Sequence, residues 1–388
     1  MINEDFRTKA KAFLQTNGMP TSRDEEWRFT NLRKYLTDAT TPGATTVELP
    51  TYYQSCEGNK IVLVNGVLDA ERSQFDNTIE VTNTHPLLGS GIQEENYFTA
   101  LNAASYTDAL CITVKGENQP IHIFHVVTKP EFVFPRILLF AKRSSSVVVN
   151  EFYTTASTAN VSAVVEVFLE ENANVNWHAI QHDNSALNLV NHVETQVARD
   201  ARFQYVSLSQ NSRFIRNTIQ ARLNGENAYA SLNGFYQTDG ESLVDNHVLI
   251  DHKVPNCESH QLFKGLLDGE GTGVFNGKIM VHQDAQKTNA YQSSKAVLLS
   301  ETATIHTKPQ LEIFADDVKC SHGATTGQLD DDALFYFRSR GIGERDARAL
   351  LNYAFASDVI EKINNDALKS NLLKLLSQKL NTTVEFEE

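Results

Sequence analysis

A short turn that returns at a nearly fixed interval constrains this chain more than any other feature. Glu171-Asn172-Ala173-Asn174-Val175, Arg199-Asp200-Ala201-Arg202-Phe203 and Glu226-Asn227-Ala228-Tyr229-Ala230 share a polar-polar-Ala turn followed by alternation, and the turn alanines are almost evenly spaced. Ser145, just before Val147, lies one such interval upstream of Ala173, and further turn-like matches stand at Asp284-Ala285 and Thr302-Ala303. An interval of this size, within the range of roughly 20–50 residues, is the mark of stacked coils. From about Pro120 to Ile313 the chain reads as many short alternating strands, among them Val164–Phe168, Asn176–Ile180, Phe203–Val206 and His247–Ile250, with few helix signals. Each period holds two or three strands. One period per coil therefore predicts a mainly β fold, a right-handed parallel β-helix in which each strand pairs with its counterpart one coil on, about 4.8 Å away. Small residues at the corners let adjacent coils approach. A β-sandwich is the alternative, but its turn signals recur about every 8–12 residues.

Helical segments flank this core. Phe6, Ala10, Phe13 and Leu14 recur at helical spacing before Gly18 and Pro20, and Ser22 to Leu32 is charged yet carries Trp27 and Phe29, the composition of a segment that docks. Ile61 to Leu68 predicts a hairpin around Asn65-Gly66, Asn96 to Ala109 a short helix, and Leu110 to Val114 a strand. After Asp330-Asp331-Asp332, an acidic helix start, Ala333 to Arg340 predicts a helix stopped by Gly341. Ala347, Leu350, Leu351, Ala354 and Phe355 then form one apolar helical face, and Leu368, Leu372, Leu375, Leu376 and Leu380 another. These helices are expected to close one end of the β region, where unpaired backbone and apolar interior would otherwise be bare. The predicted organisation is an N-terminal α/β region over 1–115, a β-helix core over 116–329 and a C-terminal helical domain over 330–388.

Composition narrows the chemistry. With 388 residues and 41% hydrophobic content the chain can bury a continuous core, and a net charge of −14 without a Lys/Arg cluster argues against a nucleic-acid partner. The start, Met1 to Arg7, lacks the apolar stretch of a signal peptide and no segment has the length and apolarity to cross a bilayer, so the expectation is a soluble, cytoplasmic protein without a membrane partner. Cys56, Cys111, Cys257 and Cys320 are too far apart for a disulfide framework, a zinc finger or a cluster held by this chain alone. The densest candidate is Glu312 to Gly327. If Val318 to His322 is extended, Cys320 and His322 point to one side and offer a soft sulfur and a borderline nitrogen to iron, zinc or copper(I), with Asp316 and Asp317 as outer acceptors. Two ligands do not close a site, so a metal would need donors from a second chain; taken alone, a Cys-x-His is more commonly a buried small residue beside an ordinary loop histidine. There is no nucleophile elbow, Walker loop, HExxH or dinucleotide fingerprint, and Gly269 to Gly273 reads as a turn, so no enzyme activity is expected. A carbohydrate-active β-helix lyase or hydrolase is the runner-up, weakened because neighbouring carboxylates on a strand face opposite ways.

The run Lys308 to Thr325, followed by Gln328-Leu329-Asp330, Leu334-Phe335-Tyr336 and Arg338 to Ile342, resembles the SufB/SufD family of iron–sulfur cluster assembly scaffolds; Phe275 to Ile279, Gln292 and Leu298-Leu299 fit it upstream. Pro20 to Leu32 is similar to the N-terminal signature of SufD-type members, and Gly323 stands where SufB-type chains carry a glutamate. Ser294 to Val297 departs from the family's usual Asn and Leu. The resemblance implies a β-helix with helical ends, a homologous SufB-type partner joined through the β-helix, and a SufC-type ATPase bound at the C-terminal helical region, with Phe335, Tyr336, Arg338 and Arg340 as its candidate contacts. It implies a transient iron–sulfur cluster at the junction, shared by Cys320 and His322 with the partner, no tightly bound cofactor on the isolated chain, and a homodimer when the chain is purified alone.

Overall fold

The structure, a computed structural model, describes residues 4–36, 49–93, 95–129, 131–155, 158–182, 187–210 and 212–379. In chain order its elements are α1 (Glu4–Thr16), α2 (Leu32–Tyr35), α3 (Tyr52–Ser55), β1 (Asn59–Val64), β2 (Val67–Leu68), β3 (Ile79–Thr82), α4 (Tyr97–Ser105), β4 (Leu110–Val114), β5 (Ile121–Val127), β6 (Arg136–Ala141), β7 (Ser146–Thr155), β8 (Ala159–Leu169), β9 (Asn174–His182), β10 (Leu187–Val197), β11 (Arg202–Gln210), β12 (Phe214–Leu223), β13 (Tyr229–Thr238), β14 (Leu243–His252), β15 (Glu258–Leu267), β16 (Thr272–Val281), β17 (Thr288–Leu298), β18 (Thr304–Ile313), β19 (Val318–Gly327), α5 (Asp331–Ser339), α6 (Glu344–Ile360) and α7 (Asp366–Lys379). They build a parallel β-solenoid of two facing sheets. A ten-stranded sheet runs β19-β17-β15-β13-β11-β9-β7-β5-β1-β2 and a nine-stranded one β18-β16-β14-β12-β10-β8-β6-β4-β3. The two β1–β2 and β3–β4 pairs are antiparallel, and the ladders between them and the ends are parallel. One coil is therefore two long strands, one in each sheet.

The repeat is the coil. Ser146 faces Asn174 across the ladder, and the same position then passes through Arg202, Tyr229, Glu258, Asn289 and Lys319, at an interval that is nearly constant as far as Tyr229 and lengthens beyond it. At the corner before it, Ser144, Asn172, Asp200, Asn227, Asn256 and Lys287 hold φ between 56° and 60°, the left-handed region that Asn and Asp tolerate best among residues with a side chain. That twist turns each corner N–H toward the next coil: Ser144 donates to the Glu171 carbonyl at 3.0 Å, Asn172 to Arg199 at 3.0 Å and Asp200 to Glu226 at 3.0 Å. Directly after it come Ser145, Ala173, Ala201, Ala228, Cys257 and Thr288, all buried, where a larger side chain would push coils apart. Cys257 is thus a corner filler. The matches expected at Asp284-Ala285 and Thr302-Ala303 are off the column. The first falls in the right turn but ahead of its left-handed residue, Lys287, because that turn is longer, and the second lies at the opposite corner, between β17 and β18.

The hairpin, the short helix and the Leu110–Val114 strand form as the sequence predicts, with Asn96 capping α4 through a reciprocal bond with Thr99. The solenoid starts earlier than the strand-dense stretch suggests, since β1 and β4 already pair in parallel with β5 and β6. Both outer faces are covered over most of their length. On the nine-stranded sheet, Leu32, Tyr35 and Phe98 pack with Val190, Phe214 and Leu243. A buried Arg136 is held there between Phe6 and Tyr106 rings and donates at 2.6 Å to Glu166, which also accepts the Gly89 and Gly91 N–H groups. On the ten-stranded sheet, Ala356, Val359, Ile360, Ile363, Leu368, Leu372 and Leu376 pack against Val62, Phe124, Val126, Phe152, Ile180, Val206 and Leu208. The C-terminal helices consequently lie along a sheet face and not across the end of the stack. Their apolar stripe matches the apolar outward side chains of the middle coils, and Lys264 on β15 anchors α6 through Asp358 and the Phe355 carbonyl. Among the described residues nothing seals the last coil. Leu380, expected on the α7 face, lies outside the described residues.

Candidate functional site

The last coil, β18 and β19, pairs on one side only among the described residues. Cys320 stands beside Ala290 of β17 and His322 beside Gln292, and both of those partners are buried side chains pointing into the solenoid. Period-two alternation puts Cys320 and His322 on that same inward face. Cys320 packs with Val318 and Leu311 over Ile279, Val281 and Ala290, half-buried, whereas His322 is exposed because no further coil lies above it. Burial raises the Cys320 thiol above its ordinary pKa, and a bond from the Ala290 N–H acts the other way. One coil below His322, Gln292 donates to Gln261 at 2.7 Å, while its own buried carbonyl oxygen has no partner.

Asp316 and Asp317 occupy the turn between β18 and β19, both exposed. The Asp317 backbone serves the corner column, its carbonyl accepting from Lys287 N–H at 2.6 Å and its N–H donating to Gln286 at 2.9 Å. Phe314 beside them is 62% exposed. Just beyond β19, Asp330 caps α5 by accepting from the Asp332 and Ala333 N–H groups. Phe335 and Tyr336 on α5 are 73% and 52% exposed, with the Arg340 guanidinium 4.3 Å from the Tyr336 ring and Arg338 paired to Glu344 at 3.6 Å. Among the described residues no three His, Cys, Asp or Glu side chains converge closely enough to hold a metal ion.

A family model described as SUF system FeS cluster assembly, SufBD core domain, matches residues 124–355, from β5 through most of α6 and across the whole last coil. The chain belongs to the SufB/SufD family. Relatives within SufB/SufD include the iron–sulfur cluster assembly protein SufD of Escherichia coli, 28% identical over 95% of this chain and 90% of its own length. A SufBD family protein of Synechocystis is 28% identical over 96% and 90%, and the SufD of Bacillus subtilis 26% identical over 74% and 68%.

Other chemistry-bearing residues of this SufB/SufD chain have structural partners. His178 and His252 are buried, their pKa pushed down to about 4, and they bond Asn150 and Ser259 respectively. Glu151, inside the solenoid, takes bonds from Tyr153 and Trp177 at 2.9 Å and sits 2.9 Å from His125 Nε2. A cavity of about 540 Å³ lies between the N-terminal segment and the nine-stranded sheet, lined in part by Trp27, His192, Arg216, Arg222 and Lys278. Each of these three cations already has a carboxylate: Arg216 has Asp245, Arg222 has Glu194 and Asp251, and Lys278 has Glu312. The sequence alone did not reveal this charged outer face; its one visible signal was the change of sign from strand to strand, Glu194 on β10, Arg216 and Arg222 on β12, and Asp245 and Asp251 on β14. No helix among the described residues is long and apolar enough to cross a membrane.

Proposed function

We propose that this chain is the SufD-type subunit of a SufB–SufC–SufD assembly, a scaffold and not an enzyme. A homologous SufB-type solenoid joins the free edges of β18 and β19, and a nascent iron–sulfur cluster is built where Cys320 and His322 meet donors of the partner. The observation that carries this reading is the bare last coil with a sulfur and an imidazole on its inward face. Thiolate and imidazole suit iron, and two donors on one chain leave the remainder to another. Iron and sulfide are cargo here, and binding them releases the Cys320 proton. Asp316 and Asp317 stand close in sequence as outer acceptors. The 330–388 helical unit offers Phe335, Tyr336, Arg338 and Arg340 to the ATPase; since α6 is tied to β15, closure of a SufC-type pair would pull on the solenoid flank. Without a partner, two bare ends pair with each other.

Reconstitution with the SufB-type and SufC-type chains tests the reading. His322→Ala is expected to abolish the cluster's visible absorbance while the complex elutes unchanged in gel filtration. Clusters formed at the normal rate would remove His322 from the ligand set.

A further inference from the structure

We propose that Glu25–Thr30 is a strap that sets the position of the last coil, making Glu25 and Phe29 positioning residues for the strand pair that carries Cys320 and His322. The segment crosses four successive strands of the nine-stranded sheet. Its anchor is deep. Arg216 on β12 donates to the Glu26 carbonyl at 2.8 Å with its guanidinium 3.8 Å from the Trp27 ring centre, and buried Thr30 donates at 2.5 Å to buried Asp245 on β14. The Glu26 carboxylate then bridges His247 on β14 at 2.9 Å and Asn276 on β16 at 3.2 Å. One side of the segment grips β18: Phe29 stacks on His306 with ring centres 3.9 Å apart and planes 9° off parallel, and Lys308 donates to Glu25 at 2.6 Å.

β18 needs such a hold. Among the described residues it bonds β16 on one side and nothing on the other, and a strand with a free edge opens more easily than one inside a ladder. The C-terminal helices brace the other sheet, where α6 is fixed to β15. Motion of β18 reaches the candidate site directly, because Leu311 of β18 packs in one cluster with Val318 and Cys320 of β19. An exposed ion pair holds weakly, so the Phe29–His306 stack supplies most of the grip while Glu25–Lys308 fixes its direction. The inference rests on the proposed function only for what the coil is used for.

The test uses the full chain alone, diluted until light scattering shows monomer, by hydrogen exchange with mass spectrometry and by iodoacetamide labelling of Cys320. Glu25→Lys with Phe29→Ala is expected to speed exchange of β18 and β19 amides roughly three- to tenfold and Cys320 labelling by a similar factor, with β9 to β12 unchanged. Adding Lys308→Glu, which restores the ion pair reversed, recovers part of the loss; the single Glu25→Lys and its swap repeat the comparison in a variant that changes only exposed charge. Faster exchange confined to residues 21–36, an equal rise in every coil, or no recovery in the swap would each overturn the proposal. Cluster assembly is scored separately: normal assembly with Cys320→Ser would sink the scaffold reading and leave the strap standing.

Discussion

Along one inward row of the ten-stranded sheet, Trp177 and Tyr205 in the middle coils give way to Leu232, then Gln261, Gln292 and finally His322. The neighbouring row passes from Val175 and Phe203 to Ala230, Ser259, Ala290 and Cys320. Along these two rows the side chains become smaller or more polar toward the tip, while a third inward row reverses the order, with Ala179, Ser207 and Gly234 in the middle and Phe263 on β15 packed against Phe275 on β16. Coverage follows the same gradient, with layers of helix and loop on both faces of the middle coils and a β19 that is almost wholly exposed. The covered coils satisfy a buried carboxyl group internally, Glu151 with Tyr153, Trp177 and His125, whereas the last coil leaves His322 open to solvent.

The largest test of that contrast is Arg136→Ala. It leaves Glu166 as an uncompensated buried charge, and urea unfolding should show a loss of about 3–5 kcal/mol. A loss below about 1 kcal/mol would mean that the N-terminal layer adds little to the early coils. Next, the gradient can be probed within one inward row, which holds Ala179 in a middle coil and Ala324 in the last. Ala179→Leu overfills a fully buried position and is expected to cost about 1–3 kcal/mol, whereas exposed Ala324→Leu should stay within about 0.5 kcal/mol. Equal costs would show that the tip is packed like the middle. The smallest effect concerns thiols. Burial pushes Cys111 up to about 12 and Cys257 up to about 11 and also raises Cys56, and all three are buried, so the native chain should be alkylated at Cys320 alone. Because the Cys320 pKa is raised too, its thiolate is scarce at neutral pH; the labelling rate should climb as pH rises through and beyond the ordinary thiol range, and mass spectrometry of peptides at several pH values checks it.

Much of this architecture is legible in the residues. Asn172, Asp200 and Asn227 mark the corner because few other side chains accept its left-handed twist, and the small residue after each marks the close approach of coils. The signal fades after Ala228 because the coils lengthen toward the tip and the corner becomes Asn256-Cys257 and then Lys287-Thr288, which no longer spell the motif. The first rungs are hidden differently: β1 and β4 belong to one coil but are parted by β2, β3 and α4. For the C-terminal helices, an apolar stripe on Leu368, Leu372 and Leu376 tells that the helix packs but not against which surface, so a sheet face took the place of the expected end. At the candidate site, alternation placed Cys320 and His322 together correctly, while the strap's grip on β18 joins the two ends of the sequence, Glu25 to Lys308, which no local pattern encodes.

The bare tip also fixes the timing of risk during biosynthesis. A ribosome delivers the chain from its amino end, so the inner turns of the spool are laid down before its last two strands emerge, and those strands find a template in β16 and β17; the helices α6 and α7 that cover the ten-stranded sheet follow only afterwards. Each newly folded turn is bare until the next is added, and among the described residues the edge of β18 and β19 is the one that persists in the finished chain.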